Sequence, residues 1–218
     1  MSSSLSLDSL FGVKGKAGNK ALAAEIAKHE TRVDVLINNS GVSWGGDLQH
    51  HPEKAWDRVL NVNVKSPFFL TVALLPLLDA AATSSDAARV INVGSIAGLR
   101  PQSIDTMAYD TSKAAIHHLT RVLAAKLARR PNGGHILVNA IAPGLVPSKM
   151  SQGISLVTDQ SFDELASILP LERFGRDHDM AGLAIFLASK ASGWISGEVV
   201  ASDGGHVYAT ETAMGSKL

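Results

Sequence analysis

The sequence predicts an α/β fold built on an open parallel sheet, and three observations carry that expectation. Short apolar runs with little polar alternation recur along the chain, segments of helical character separate them, and small or polar residues follow the end of each run. Runs that are apolar on both faces suit parallel strands covered by helices. Strands alternating with helices imply right-handed crossovers within one doubly wound sheet. Such sheets take their ligands beyond the carboxyl ends of the strands.

Residues 17–30, AGNKALAAEIAKHE, are rich in helix formers with Leu22 and Ile26 on one face, and they run into VDVLI at 33–37, the first strand. A long helix is expected from Pro52 to about Ala82, followed by the strand RVINV at 89–93. A helix from about Met107 to Arg129 precedes the strand HILVNAI at 135–141, and a helix at 177–190 precedes EVVAS at 198–202. NNSG, GSIAG, APG and DGG follow the successive strands, gathering small polar residues where such a sheet holds a ligand. Turn formation alone would also account for them. Ile116, Leu119, Leu123 and Leu127 form an apolar stripe that suits either the core or a subunit face. Residues 1–16 and 209–218 read as flexible segments, leaving 17–208 as one domain.

Composition narrows the function classes. With 218 residues, 45% of them hydrophobic, the chain can bury a substantial single core. Twenty acidic and twenty basic residues leave no net field toward nucleic acid or an anionic membrane. The absence of cysteine excludes disulfides, thiol catalysis and thiolate-bound zinc. Four of the eight histidines form adjacent pairs, His50–His51 and His117–His118, which cannot share a helix face, and no HExxH or similar spacing occurs, so no metal site is expected. The apolar stretch from Pro67 to Ala82 is too short and too interrupted by proline to span a bilayer, and the start MSSSLSLDSL lacks a secretory apolar core. A soluble, unsecreted protein in a reducing compartment is expected.

Four residues carry candidate chemistry. Tyr109 and Lys113 stand four apart on a helix, so their polar ends can converge. A free phenol titrates at about 10, and a neighbouring ammonium lowers that value toward the range of a working acid and base. Ser95, at the end of RVINV, offers a hydroxyl to a carbonyl oxygen. Asn63 precedes Pro67 by four residues, so its carbonyl loses the usual intrahelical N–H. A solvated Tyr/Lys pair, a turn serine and a proline bend are the plain alternatives for each taken singly.

Taken in order, NNSG at 38–41, NVNV with Asn63, NVGSIAG with Ser95, YDTSK at 109–113, APG at 142–144 and ISGEVVASDGG at 195–205 resemble the motifs of short-chain dehydrogenase/reductases. APGLVPSKM followed by ERFGR is most similar to 3-oxoacyl reductases, including the rhamnolipid-pathway kind. The resemblance implies a Rossmann-like fold and an NAD(P)-dependent reduction of a carbonyl to a secondary alcohol. Tyr109 would be the acid/base, Lys113 would lower its pKa and hold the nicotinamide ribose, Ser95 would orient the carbonyl, and Asn63 would anchor a water relay. Asn38, Asn39 and Gly41 would lie beside the adenine pocket, with Ser40 in place of the usual alanine. Pro143, Gly144, Val146 and Ser148 would border the nicotinamide, and Pro147 to about Pro170 would form a substrate lid. The implied cofactor is NADP, with NAD the other candidate, and the implied substrate is a small carbonyl or alcohol, an acyl thioester or polyketide-like carbonyl among them. The helices at about 52–82 and 107–129 would form the interface of a homo-oligomer.

The family's TGxxxGIG turn, where glycines let the backbone approach the cofactor pyrophosphate, is not in the sequence. Gly12, Gly15 and Gly18 have neither its spacing nor a strand before them. The expectation is an N-terminally truncated Rossmann-like sheet lacking its first strands and helices. Two readings follow: a working oxidoreductase, or a non-catalytic variant that associates with itself or with a full-length relative. Ser216-Lys217-Leu218 matches the SKL signal read by the peroxisomal import receptor, which predicts a peroxisomal address.

Overall fold

The computed structural model describes residues 15–148, 150–151 and 161–209. Four strands, β1 (Val35–Asn38), β2 (Ala88–Val93), β3 (Ile136–Pro143) and β4 (Val199–Ser202), form one parallel sheet whose spatial order is their chain order. β2 and β3 lie inside the sheet and are buried along almost their whole length, which explains why ARVINV and ILVNAIAP show no polar alternation. β1 pairs with β2 from Val35↔Arg89 to Asn38↔Asn92, and among the described residues no strand lies on its other side.

The helices cover the sheet unequally. On one face, Leu74, Leu78, Leu123 and Leu127 pack on Val90, Ile136 and Val138, joined by α1 (Gly15–His29) through Ala23. The other face carries Ile91 and Ile141 under, among the described residues, a single helix, which supplies Leu187 and Leu183.

The helix expected to run unbroken over 52–82 comes in pieces: α2 (Glu53–Leu60), a π-helical turn (Asn61–Lys65), α3 (Ser66–Ala73) and α4 (Leu75–Ala81). Two prolines explain the breaks. Pro67 removes a backbone donor just after the π turn, and Ser66 N–H reaches back five residues to the Asn61 carbonyl. Pro76 follows the break at Leu74, where the axis bends by 59°.

α5 (Met107–Leu127) lies where it was expected. Its stripe is used by the core: Ile116, Leu123 and Leu127 are buried, with Leu119 packed partly against the same cluster. The alternative use of that stripe as a subunit face is therefore corrected, because the sheet already occupies it. The large apolar residues that α3 and α5 leave exposed are Phe68, Val72 and Val122. Within the lid expected at 147–170, α6 (Phe162–Ser167) is started by a capping box between Ser161 and Glu164, while 149 and 152–160 lie outside the described residues. α7 (Asp177–Ala188) is the helix on the second face. Ser216-Lys217-Leu218 also lies outside the described residues.

Candidate active site

The carboxyl ends of β1 and β2 are tied together by a buried polar row. Asn38 and Asn92 are register partners, and Asn38 Nδ2 donates to Asn92 Oδ1 at 2.8 Å. Asn92 Nδ2 in turn donates to Thr120 Oγ1 on α5 at 2.9 Å, and Asn38 Nδ2 also faces Thr71 Oγ1 on α3 at 3.4 Å. Both threonine hydroxyls donate back one helical turn, to the carbonyls of Pro67 and Ile116. Every member has a partner, as buried amides and hydroxyls must to be worth burying. The Asn38 side chain is thus spent on the fold rather than turned toward a ligand pocket, whereas Asn39 is exposed and Gly41 half-buried.

The turn after β2 lies against α5. Gly98 permits this approach, since a Cβ there would stand 2.4 Å from the Lys113 carbonyl carbon. Ser95 is extended, its hydroxyl accepts the Ala97 N–H at 3.1 Å, and it lies near enough to the Tyr109 phenol to act on its titration. Lys113 Nζ is buried, donates to the Val93 carbonyl at 2.9 Å, and lies 5.4 Å from the centre of the Tyr109 ring. Gly41 covers it: a Cβ there would be 3.6 Å from Lys113 Nζ and 3.5 Å from Asn63 Oδ1.

Asn63 lies in the π turn, and its amide grips Val42 at both ends. Oδ1 accepts the Val42 N–H and Nδ2 donates to the Val42 carbonyl, each at 2.9 Å, while Nδ2 also donates to Ser112 Oγ at 2.9 Å. Ser112 donates to the Tyr109 carbonyl at 2.7 Å. One side chain therefore joins the loop after β1, the opened helix and the helix that bears Tyr109. Ser95, Tyr109, Lys113 and Asn63, far apart in sequence, meet at the carboxyl ends of β1 and β2.

The electrostatics correct one expectation. Burial, with a smaller push from the Asp110 carboxylate, raises the Tyr109 phenol above its ordinary value, and the neighbouring Ser95 hydroxyl acts downward. Lys113 makes no hydrogen bond to the phenol: its ammonium donates to the Val93 carbonyl and lies 5.4 Å from the centre of the ring. Burial lowers Lys113 itself to about 8. Asp110, raised by burial, accepts the Thr106 hydroxyl at 2.9 Å and the Gln102 N–H at 3.4 Å, fixing the loop beside Tyr109.

The remaining candidates sit at the ends of β3 and β4. Gly144 N–H donates to the Ser202 carbonyl at 3.0 Å, and a Cβ on Gly144 would lie 2.8 Å from Asp203 Cα, so glycine lets the two strand ends meet. Pro143 and Val146 are half-buried on this turn, and Ser148 is exposed, its N–H donating to Ser151 Oγ at 2.7 Å. A cavity of about 320 Å³ opens beside it, lined by Leu145, Leu169, Leu171, Met180 and Asp203 among others. It is the space that a substrate lid at 147–170 would border.

Residues 11–207 match a protein family described as enoyl-(acyl carrier protein) reductase. The chain is 41% identical over 193 residues to the rhamnolipids biosynthesis 3-oxoacyl-[acyl-carrier-protein] reductase of Pseudomonas aeruginosa, covering 88% of this chain and 73% of that protein. It is 32% identical to the short-chain dehydrogenase/reductase PhomF' of Diaporthe leptostromiformis, covering 94% and 76%. The chain belongs to the short-chain dehydrogenase/reductase family. Its fold is Rossmann-like: the RhlG/NADP active-site complex of Pseudomonas aeruginosa superimposes with a TM-score of 0.82 at 40% identity, over 89% of this short-chain dehydrogenase/reductase and 74% of that chain.

One structural feature fits the nicotinamide end of a dinucleotide in this short-chain dehydrogenase/reductase. Lys113 is a buried ammonium with three donors, of which one meets the Val93 carbonyl, and it lies beside Gly41. Ser112, Asn92, Thr71, Thr120 and His117, all buried within the site's support, escaped the sequence reading. A polar residue facing inward at helical or strand spacing was the only signal available for them.

Proposed function

We propose that the protein is an NADPH-dependent carbonyl reductase of 3-oxoacyl type, with Tyr109 as its acid/base. The observation that carries the reading is the meeting of the Ser95 hydroxyl, the Tyr109 phenol and the buried Lys113 ammonium at the carboxyl ends of β1 and β2. The NADP-bound relative and the 3-oxoacyl reductase relative support the cofactor and the substrate class. Bound NADPH supplies hydride to the carbonyl carbon. Ser95 and Tyr109 hold the carbonyl oxygen between two hydroxyls, and Tyr109 gives that oxygen its proton as the alcohol forms. Lys113 holds the nicotinamide ribose with its uncommitted donors, and Asn39, Gly41 and the turn from Pro143 to Ser148 flank the dinucleotide. Asn63 keeps Val42 and the Tyr109 helix in register and offers its backbone carbonyl to a proton-relaying water. Tyr109→Phe is expected to cut turnover of a 3-oxoacyl substrate at least about 100-fold with NADPH affinity nearly unchanged. Retention of most turnover would overturn the assignment.

A second reading, a non-catalytic chain that associates with itself or a longer relative, is favoured by the uncovered outer side of β1 among the described residues. Titration with NADPH, followed by nicotinamide fluorescence, separates the two: micromolar binding with Tyr109-dependent turnover supports the enzyme. Self-association through the faces of α3 and α5 that expose Phe68, Val72 and Val122 belongs to both readings, and a monomeric mass by light scattering would refute it. A peroxisomal address through Ser216-Lys217-Leu218 is part of the proposal, and deleting Leu218 from a fluorescent fusion should make punctate signal diffuse.

A further inference from the structure

α5 carries a third polar side chain in line with Tyr109 and Lys113. His117 follows Lys113 by one helical turn, is 2% exposed, and lies beneath the end of β2. Gly94 makes the room for it: a Cβ on Gly94 would stand 2.1 Å from His117 Nε2 and 2.6 Å from its Cδ2. The imidazole fills the place of the missing side chain.

Two side chains one turn apart on α5 then bracket Ser95. Lys113 Nζ donates to the carbonyl of Val93 at 2.9 Å, and His117 Nε2 accepts the N–H of Ser95 at 3.4 Å. Between them, Gly94 N–H donates to the Ile141 carbonyl at 2.7 Å. We infer that His117 is a positioning residue: by accepting the Ser95 N–H it sets the Ser95 hydroxyl against the Tyr109 phenol carried by its own helix. This rests on the carbonyl-reductase reading above.

The protonation state agrees with the role. Nε2 accepts an N–H only when it is bare, which puts the single proton of a neutral ring on Nδ1. Burial holds His117 down to about 4, the charges of Lys113 and Arg121 push the same way, and the Gly98 backbone acts in the opposite sense. A leucine would fill this volume with no buried ring nitrogens to satisfy, so packing alone does not explain an imidazole here. The tie also matters more when Lys113 turns to a ligand, because His117 then remains as the side-chain link between α5 and the backbone of Ser95.

The test compares His117→Leu, which removes the acceptor, with His117→Gln, whose carbonyl oxygen can replace it. His117→Leu is expected to lower kcat about 10- to 100-fold with KM for NADPH within about twofold, and His117→Gln to recover most of the loss. Equal kcat in His117→Leu and the unaltered protein, or equal loss in both variants, would overturn the inference. A readout that needs no activity accompanies it: the Ser95 amide should exchange faster in His117→Leu than in His117→Gln, and 15N spectra of the unaltered protein should show Nε2 bare at neutral pH. A protonated Nε2 would refute the role even if neither variant folds. Failure of Tyr109→Phe to reduce turnover, with the Ser95 amide behaving as expected, would sink the catalytic reading and leave the tie itself standing.

Discussion

Asn63 shows how one side chain can be worth more to the site than its chemistry suggests. Removing its amide in Asn63→Ala leaves the Val42 N–H and C=O unpaired and Ser112 short of a donor, so a loss of about 2 kcal/mol or more in chemical denaturation is expected. Tyr109 makes a different prediction. Because burial raises its phenol, the group stays protonated through neutrality, so reduction should be flat there while oxidation of the alcohol rises with pH. His117 governs acid stability: its folded value of about 4 lies below the unfolded 6.5, so the unfolded chain binds the extra proton between them. Stability is fully present above 6.5 and falls as pH drops toward 4, by at most about 3 kcal/mol, and His117→Leu should flatten that slope in melts taken across the window. Ser95, Tyr109, Lys113 and Asn63 were legible in the sequence only as members of an ordered set of motifs, since each taken singly also fits a plain structural role. Asn38 and His117 were not. Whether Asn38 faces a ligand or Asn92 depends on strand register, and which member of His117–His118 turns inward depends on Gly94, more than twenty residues away.

At the scale of elements, the sheet, its direction and α5 were visible as apolar runs and helical periodicity, whereas the division of 53–81 was only half visible. Pro67 announced a disturbance near Asn63, but the form it takes, a π turn, depends on how α2 and α3 pack across the domain. Pro67→Ala should let residues 63–67 close a regular turn and draw Asn63 away from Val42. A higher melting temperature with lower kcat is the expected pairing, and unchanged kcat would mean that the opened turn is dispensable. Gly98 sets the distance between the turn after β2 and α5. Gly98→Ala drives a Cβ against the Lys113 backbone, where no side-chain motion can relieve it, and should cost about 1–3 kcal/mol along with activity.

Over the whole molecule, the uneven cover of the sheet governs ligand binding as much as the catalytic residues do. Ile37, on the β1 side of the α7 face, is 46% exposed, and the chain carries no TGxxxGIG turn to receive a pyrophosphate. Hydride transfer draws on binding energy from the distant end of the dinucleotide, so these 218 residues are expected to bind NADPH more weakly than a relative with that turn, checked by titrating the two side by side. Strand order has a consequence of another kind. Since each strand lies beside the one before it in the chain, the sheet can grow by accretion, every new strand docking on an edge already made. Cooperative protection should then centre on β2 and β3, which have neighbours on both sides, and decay outward. Native-state hydrogen exchange should find the slowest amides in 89–93 and 136–142 and the earliest opening in β1 and β4, so that the two margins of the sheet fray while the seam beneath Ser95 and Tyr109 stays closed.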